Sequence, residues 1–397
     1  LRFSPRVTDL EPEGAYAVLA QAQALERQGR SIVHLEIGQP DVGTLTSVCE
    51  RAVMAIQAGH TRYNPPAGLP ELRQAIALDA GQRRNMVIQP NQVVVGPGAK
   101  PALFLAALAL IAPGDEVIYP DPGFPTYGAM VQVAGGVSIP VSLAEERGFS
   151  VDLDQLAQRI NSRTRLIILN SPANPTGGVI PIADLEQIAA LAQQYDCWVL
   201  TDEIYSRLSY DGLAVPSIAA LPGMAERTVI VDGFSKTYAM TGWRLGYGIM
   251  PESLAERMEL LLTHAVGCTA TFTQMAGVTA LTGDQQPITA MVSEYQQRRD
   301  RMVAGLNTIP GIHCQVPQGA FYVFPNVKVV GMSVRVIAER LLAEAGVAVL
   351  PGTDFGAKGE GYLRLCYATS PQQIDLALER MADWFRQAVR LSAGRKN

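Results

Sequence analysis

In the stretch "GFSKTYAMTGWRLGY", residues 233–247, a single lysine stands among small and aromatic residues, and an arginine follows eight positions later. An ammonium loses its hydration when enclosed, so lysine is rarely buried without a partner or a task. The same loss of water lowers its pKa and makes the amine a nucleophile toward carbonyls. Lys236 therefore has two readings on this stretch, a carbonyl-binding amine or a turn lysine beside an apolar strand. Three other residues share its setting. Asn174 follows the apolar run "RLIILN" at 165–170, Asp202 ends "CWVLTD" at 197–202 with Tyr205 just beyond, and Lys236 follows "TVIVDG" at 228–233. Continuously apolar runs with polar ends are expected of parallel strands covered on both faces. Ligands of open α/β sheets bind outside the carboxyl ends of such strands. If these three are parallel, an amide, a carboxylate, a phenol and an amine face one small molecule.

An anion fits the same rim. "VGPGAKPALF" at 95–104 takes a Gly-rich turn into a helix that begins near Pro101, a favourable first helical residue. A helix N-terminus presents free N–H groups and the positive end of its dipole, a ready phosphate site. Ser235 and Arg244 are placed to add donors. A phosphate cradle, a reactive lysine and a strand-end carboxylate together suggest pyridoxal 5′-phosphate. Lys236 would hold its aldehyde, and Asp202 would keep its pyridine nitrogen protonated so that the ring accepts electrons. Tyr205 and Asn174 would hydrogen-bond its phenolic oxygen.

The elements that must carry these residues follow from the pattern of the whole chain. Short β-branched runs alternate with longer helical ones, the signature of an α/β protein with a mostly parallel sheet flanked by helices. Besides the three strands above, "QVVVG" at 92–96, "DEVIYP" at 115–120, "GVSIPV" at 136–141 and "RLGYGIM" at 244–250 read as strands, with amphipathic stretches such as 182–195 between them. After Thr263 the pattern changes to long helices, then to the short strands "AFYVFP" and "YLRLCYA". Residues 47–295 are expected to form a large α/β domain, with 14–46 and 296–397 together making a smaller α+β domain and 1–13 an N-terminal arm.

Composition narrows the chemistry further. At 397 residues, 48% hydrophobic and 17% charged, the chain is long enough for two domains and too apolar to be disordered. A net charge of −5 without a basic run argues against a nucleic-acid partner or an anionic membrane surface. Five scattered cysteines and four scattered histidines form no Cys-x-x-Cys or His-Glu-x-x-His spacing, so neither a disulfide framework nor a metal site is expected. The longest apolar run, from Pro101, is too short to span a bilayer, and no signal peptide is visible. A cytoplasmic protein is expected.

Over nearly its whole length the sequence resembles the aspartate aminotransferase family of fold-type I pyridoxal-phosphate enzymes, the class I/II aminotransferases. The matching motifs, in the family's order, begin with "IGQPD" at 37–41, "RYNPPAGLPELR" at 62–73, "GPGAKPAL" at 96–103 and "PDPGFPTY" at 120–127. They continue with "NSPANPTG" at 170–177, "TDEIY" at 201–205, "FSKTYAMTGWRLGY" at 234–247 and "YLRLCYA" at 362–368. Each is weak alone, and the ordered series is specific. The resemblance implies that Lys236 is the Schiff-base lysine and proton shuttle, Asp202 the pyridine-nitrogen partner, and Tyr205 and Asn174 the partners of the phenolic oxygen. It implies phosphate contacts from Ser235, Arg244 and the N–H groups of Gly98, Ala99 and Lys100, and stacking by Phe124. Tyr63 would reach the partner subunit's phosphate in a homodimer. Arg364, which strand alternation alone would leave exposed, would clamp the substrate α-carboxylate bidentately together with Gly38 and Asn174.

The implied activity is transfer of an amino group from an L-amino acid to a 2-oxo acid by a ping-pong mechanism. A β- or γ-eliminating carbon–sulfur lyase on the same fold is the alternative, since both begin by abstracting one proton. A regulatory protein using this fold as an effector sensor would need an appended DNA-binding domain, and about 13 leading residues do not make one. Two places depart from the family or leave its pattern open. Val42-Gly43-Thr44-Leu45 stands where the family commonly has an aromatic residue and Thr-Pro, which leaves the side-chain pocket undetermined. Lys100 occupies a position where some relatives hold a lysine near the distal carboxylate of acidic substrates, and a solvated lysine beside the phosphate is equally compatible.

Overall fold

The seven apolar runs expected as the main strands pair into one eight-stranded sheet in a computed structural model that describes residues 2–8 and 10–393. Residues 1 and 9 of the expected arm, and 394–397 of the expected C-terminal part, lie outside the described residues. Across the sheet the order is Val93–Gly96, Gly246–Ile249, Thr228–Gly233, Trp198–Asp202, Thr164–Asn170, Glu116–Asp121, Val137–Ala144 and Ser150–Val151. Only Gly246–Ile249 and the two-residue edge Ser150–Val151 run against the rest. The chain winds one way through Glu116–Asp121 and Val137–Ala144, then the other way through Thr164–Asn170, Trp198–Asp202 and Thr228–Gly233. That reversal opens a crevice at the strand ends, where open α/β sheets take their ligands.

β-Branched residues form the strands because they pack well on a pleated surface, and here both faces are covered. Val93, Val95, Val199, Val229 and Val231 are wholly buried. Helix Ala99–Leu110, rich in alanine and leucine, covers one face. It comes close enough that a Cβ on Gly246 would lie 2.4 Å from the Ala99 nitrogen, so only glycine fits that strand position. The helix starts two residues before Pro101, and Gly98 at its head has φ +98°.

Helix Gln286–Asn307 carries the chain out of the sheet region and packs against the C-terminal helix Pro371–Ala393. There Leu363–Cys366 lies between Tyr322–Val323 and Leu350–Pro351, antiparallel to both, while Val33–His34 pairs in parallel with Val347–Ala348. The expected strand "AFYVFP" is shorter than its pattern: only Tyr322 and Val323 pair. Pro325 lacks the N–H a ladder needs, and Phe324 turns aside to stack on Tyr362 with ring centroids 4.9 Å apart. Because Leu363–Cys366 is a central strand, Arg364 is 4% exposed, contrary to what alternation alone would give. One apolar cluster joins this region to the large sheet through Phe234, Phe321, Tyr322 and Leu365. Among the described residues no helix is long and apolar enough to cross a membrane.

Candidate active site

The three parallel strands end level. Asn170 pairs with Asp202, and Asp202 with Val231, so the loops beyond them leave the sheet side by side. Asn170 fastens two of these loops. Its Nδ2 donates to the carbonyls of Asp202 at 2.9 Å and Pro172 at 3.2 Å, and its Oδ1 accepts the Asn174 N–H at 2.8 Å. Asn174 is thereby held buried on the rim with its side-chain Oδ1 unpartnered. A buried acceptor without a donor costs about 1–3 kcal/mol, which a ligand's hydrogen bond recovers.

Asp202 is buried beside it. Burial pushes its carboxyl up to about 6, while the Tyr127 hydroxyl, donating to Oδ2 at 2.9 Å, and the Ile204 N–H, donating to Oδ1 at 3.2 Å, pull the other way. Strand alternation turns the neighbouring Glu203 to the opposite side, where it forms a buried ion pair with Arg84 at 2.7 Å. The two carboxylates of "TDEIY" thus have separate tasks. Tyr205 shares a 2.8 Å hydrogen bond with the Tyr322 hydroxyl, and burial raises its phenol well above the usual range.

Lys236 lies on the same rim. Its Nζ donates to the Gly38 carbonyl at 2.6 Å and sits 5.6 Å from the Phe321 ring centroid and 5.8 Å from that of Tyr205. Loss of water lowers the amine to about 8; Cys366 opposes this, and the charges of Arg364, Arg244 and Lys100 reinforce it. Near neutral pH about a tenth of this lysine is therefore an unprotonated nucleophile, far more than for an ordinary lysine, as a carbonyl-binding amine requires.

Around it the cations are set at three corners. At the start of helix Ala99–Leu110, the Arg244 guanidinium lies so close to Gly98 that a Cβ there would fall 2.3 Å from Nη2. Arg244 takes a left-handed backbone (φ +54°), its Nη1 donates to the Thr241 carbonyl at 2.8 Å, and Ser235 is buried nearby in sequence. This corner joins free helix N–H groups to a guanidinium, an arrangement suited to phosphate. At the second corner Arg364 donates to the Glu36 carbonyl and lies 4.6 and 5.2 Å from the Tyr322 and Phe355 ring centroids, with its Nε buried and unpartnered. Gly38 is required here, because a Cβ would lie 1.9 Å from the Tyr322 hydroxyl. At the third corner the Lys100 ammonium stands 5.2 Å from the Phe124 ring centroid and pairs with Glu13.

Tyr63 is not part of this enclosure; its side chain is 97% exposed. The unusual stretch at 42–45 has a structural anchor in Thr44, whose hydroxyl donates to the Ala239 carbonyl at 2.7 Å and accepts from Trp243 Nε1 at 3.0 Å. Val42 and Leu45 line a cleft of about 310 Å³ with Tyr238, Ile288 and Met291. Asn170, Tyr127 and Tyr322 were not singled out from sequence. Asn170 had a signal, as the polar end of an apolar strand; the two tyrosines read as core.

The sequence pattern of the family "Aminotransferase class I and II" matches residues 30–381. An aspartate aminotransferase of Pyrococcus abyssi is 40% identical over 361 residues, covering 90% of this chain and 92% of its own length. An aromatic-amino-acid aminotransferase of Thermococcus litoralis is 37% identical, covering 96% of this chain and 97% of its own. Among solved structures, the aspartate aminotransferase from Rhizobium meliloti superposes with a TM-score of 0.93 at 34% identity, covering 97% of this chain and 99% of that one.

Proposed function

The chain belongs to the class I and II aminotransferases, and from that membership we propose how its own residues divide the work. The enzyme is a pyridoxal 5′-phosphate-dependent transaminase that moves an amino group from an L-amino acid to a 2-oxo acid in two half-reactions. The eliminating lyase is not favoured, since relatives matched over nine-tenths of the chain are aminotransferases. The rim fits the cofactor on its own chemistry: a depressed lysine, a buried carboxylate, a buried amide and an anion corner meet at one sheet edge. When bound, the cofactor supplies a carbonyl for amines and a ring that withdraws electrons from the substrate α-carbon.

In this reading Lys236 would hold the cofactor covalently, and its Nζ, when free, would take the substrate's α-proton. Asp202 keeps the ring nitrogen protonated, and Tyr127 holds that carboxylate in place. Tyr205 and Asn174 donate to the phenolic oxygen, and Phe124 covers the ring. Ser235, Arg244 and the N–H groups of Ala99 and Lys100 hold the phosphate, whereas the Gly98 N–H, expected to join them, donates to the Gly96 carbonyl at 2.8 Å. Arg364, Gly38 and Asn174 take the α-carboxylate, and the unpartnered Arg364 Nε is the donor that contact would satisfy. Residues 14–46 and 296–397 would then move as one small domain against 47–295, with 1–13 as an arm, since Gly38 and Arg364 sit on the small-domain side. The five free cysteines suit a reducing, cytoplasmic setting.

The observation that carries this reading is the placement of Lys236 beyond the strand next to Asp202's, with its Nζ 2.6 Å from the Gly38 carbonyl and 5.8 Å from the Tyr205 ring centroid. Mixing the holoenzyme with single L-amino acids should convert the carbonyl-form absorbance to the pyridoxamine form and release one equivalent of 2-oxo acid. Release of ammonia with repeated turnover of the amino acid alone would restore the lyase reading.

A homodimer is supported by Tyr63, fully outside its own subunit's enclosure, together with Val53, Met54 and Ile56 exposed on helix Thr46–Gln57. Heterodimers of Tyr63→Ala and Lys236→Ala subunits should regain part of the activity both homodimers lack, because one of their two sites recovers both native residues. No recovery in verified heterodimers would remove Tyr63 from the partner's site.

For the substrate side chain, Lys100 is the candidate reader. Its charge reaches Lys236, it stands over Phe124, and it already binds a carboxylate, that of Glu13. Lys100→Ala should lower kcat/KM for aspartate or glutamate about ten- to a hundredfold relative to alanine, the loss of one charge-assisted hydrogen bond of roughly 1.5–3 kcal/mol. Equal losses for aspartate and alanine would assign the lysine to the phosphate or the fold.

A further inference from the structure

Glu13 occupies the N-cap position of helix Gly14–Glu26, yet its side chain makes no capping hydrogen bond. A carboxylate there would ordinarily turn onto its own helix, where free N–H groups and the dipole attract it. Instead it reaches across to the large sheet's side, where its Oε1 binds the Lys100 ammonium and accepts from the Thr126 hydroxyl at 3.4 Å. The next residue is pressed against the other side of the cleft. A Cβ on Gly14 would lie 1.8 Å from Asp354 Oδ2, and Asp354 is itself paired to Arg335 at 2.8 Å. The segment at 13–14 thus spans from Lys100 to the region of Arg364, whose charge acts on Asp354.

We propose that Glu13 is a specificity-determining residue, an internal carboxylate that competes with the side chain of an acidic substrate for the Lys100 ammonium. The proposal rests on Lys100 facing the substrate side chain, as read above. The ammonium can satisfy one more carboxylate only by releasing or sharing the one it holds, because two carboxylates on one small cation repel each other. A neutral side chain leaves the pair intact and meets no free charge. An aspartate or glutamate side chain must displace Glu13 from the ammonium or share it there, at the head of helix Gly14–Glu26. The pair therefore keeps the half-exposed ammonium matched while uncharged side chains bind, and sets a handicap on dicarboxylates. Thr126, left with a free hydroxyl when Glu13 leaves, is a second donor for the incoming group.

The test uses holoenzyme and two unreactive ligands of equal chain length, succinate and butyrate, with dissociation constants from titration of the cofactor absorbance. Glu13→Gln removes the competing charge while keeping the side chain's size, and each variant is first checked for full cofactor content. Succinate should bind Glu13→Gln at least about tenfold more tightly than wild type, with butyrate changed less than twofold, and adding Lys100→Ala should erase the gain. In wild type, succinate but not butyrate should raise hydrogen exchange across residues 13–20. If Glu13→Gln tightens both ligands alike, Glu13 is a general cover and the proposal is overturned. If it tightens neither while Lys100→Ala still weakens succinate, Lys100 reads the distal carboxylate without competition, and Glu13 alone is dismissed. If Lys100→Ala leaves succinate unchanged in both backgrounds, the reading of Lys100 fails and the proposal with it. Glu13→Ala repeats the comparison should the glutamine itself hydrogen-bond the ligand.

Discussion

Lys236→Ala is expected to abolish transamination, with a loss of about 10⁴-fold or more. Proton transfer by a positioned base alone contributes roughly 10²–10⁴, and the variant also loses its covalent hold on the cofactor. The phosphate contacts proposed at Arg244 and the head of helix Ala99–Leu110 do not involve this side chain, so cofactor should still bind without attachment to the chain. Borohydride treatment followed by mass spectrometry should find the adduct on wild type and none on the variant. A small exogenous amine should restore part of the rate, since alanine leaves room beside the Gly38 carbonyl that the ammonium occupied. The amine's lowered pKa adds a pH dependence in wild type. Neutral amine is the reactive form, and its fraction rises with pH, so covalent loading of apo-protein should accelerate as pH rises through about 8 and level off above it. An adduct that survives in Lys236→Ala, or a loading rate flat across that window, would move the role to another residue.

Asp202 was legible because it ends an apolar strand, where a polar residue has no packing reason to be, and Asn174 and Lys236 because they stand in the short loops just beyond two such strands. The parallel register then follows from the two-face burial of runs such as Val229–Val231, and the structure brings the three together as that pattern requires. Arg364 shows the limit of alternation. The residue pattern around it is that of a half-exposed strand, and only the neighbours Tyr322–Val323 and Leu350–Pro351, distant in sequence, bury it. Tyr127 and Tyr322 were invisible for the opposite reason. A tyrosine in an apolar run reads as core, and its hydroxyl acquires a partner only through contacts across 75 and 117 residues. The edge strand Ser150–Val151 is two residues long, too short for any period to show. Glu13 is the extreme case, an acidic residue in a polar arm whose partner is 87 positions away.

Asp202→Asn should cost several orders of magnitude in rate, beyond the roughly 10²–10³ that loss of a single preorganised hydrogen-bond donor costs. A neutral amide cannot hold a proton on the ring nitrogen by charge, so electrons from the α-carbon lose their sink. Asp202→Glu keeps the charge and should lose less, limited by the fixed positions of Tyr127 and the Ile204 N–H. The same substitution should have the opposite effect on the cofactor-free fold. Asp202 in the folded apo-protein titrates at about 6, above the ordinary aspartate range, because burial disfavours the carboxylate. The folded state therefore binds this proton more tightly than the unfolded chain does. Its contribution to stability is greatest below about pH 4, is lost as pH rises through 6, and stays lost above. Asparagine carries no such charge. Apo Asp202→Asn should thus be more stable than apo wild type at pH 8, by about 2–3 kcal/mol for a shift of this size, and the gap should close toward pH 4. Thermal melts of both apo-proteins across that range read the electrostatics, and single-turnover kinetics read the chemistry. A variant that is more stable apo and nearly inactive loaded would mark a carboxylate kept against the interests of the fold for the sake of the ring nitrogen. If Asn and Asp turn over at the same rate, that nitrogen is served from elsewhere, and the buried charge at the end of Trp198–Asp202 has no chemical reason to be there.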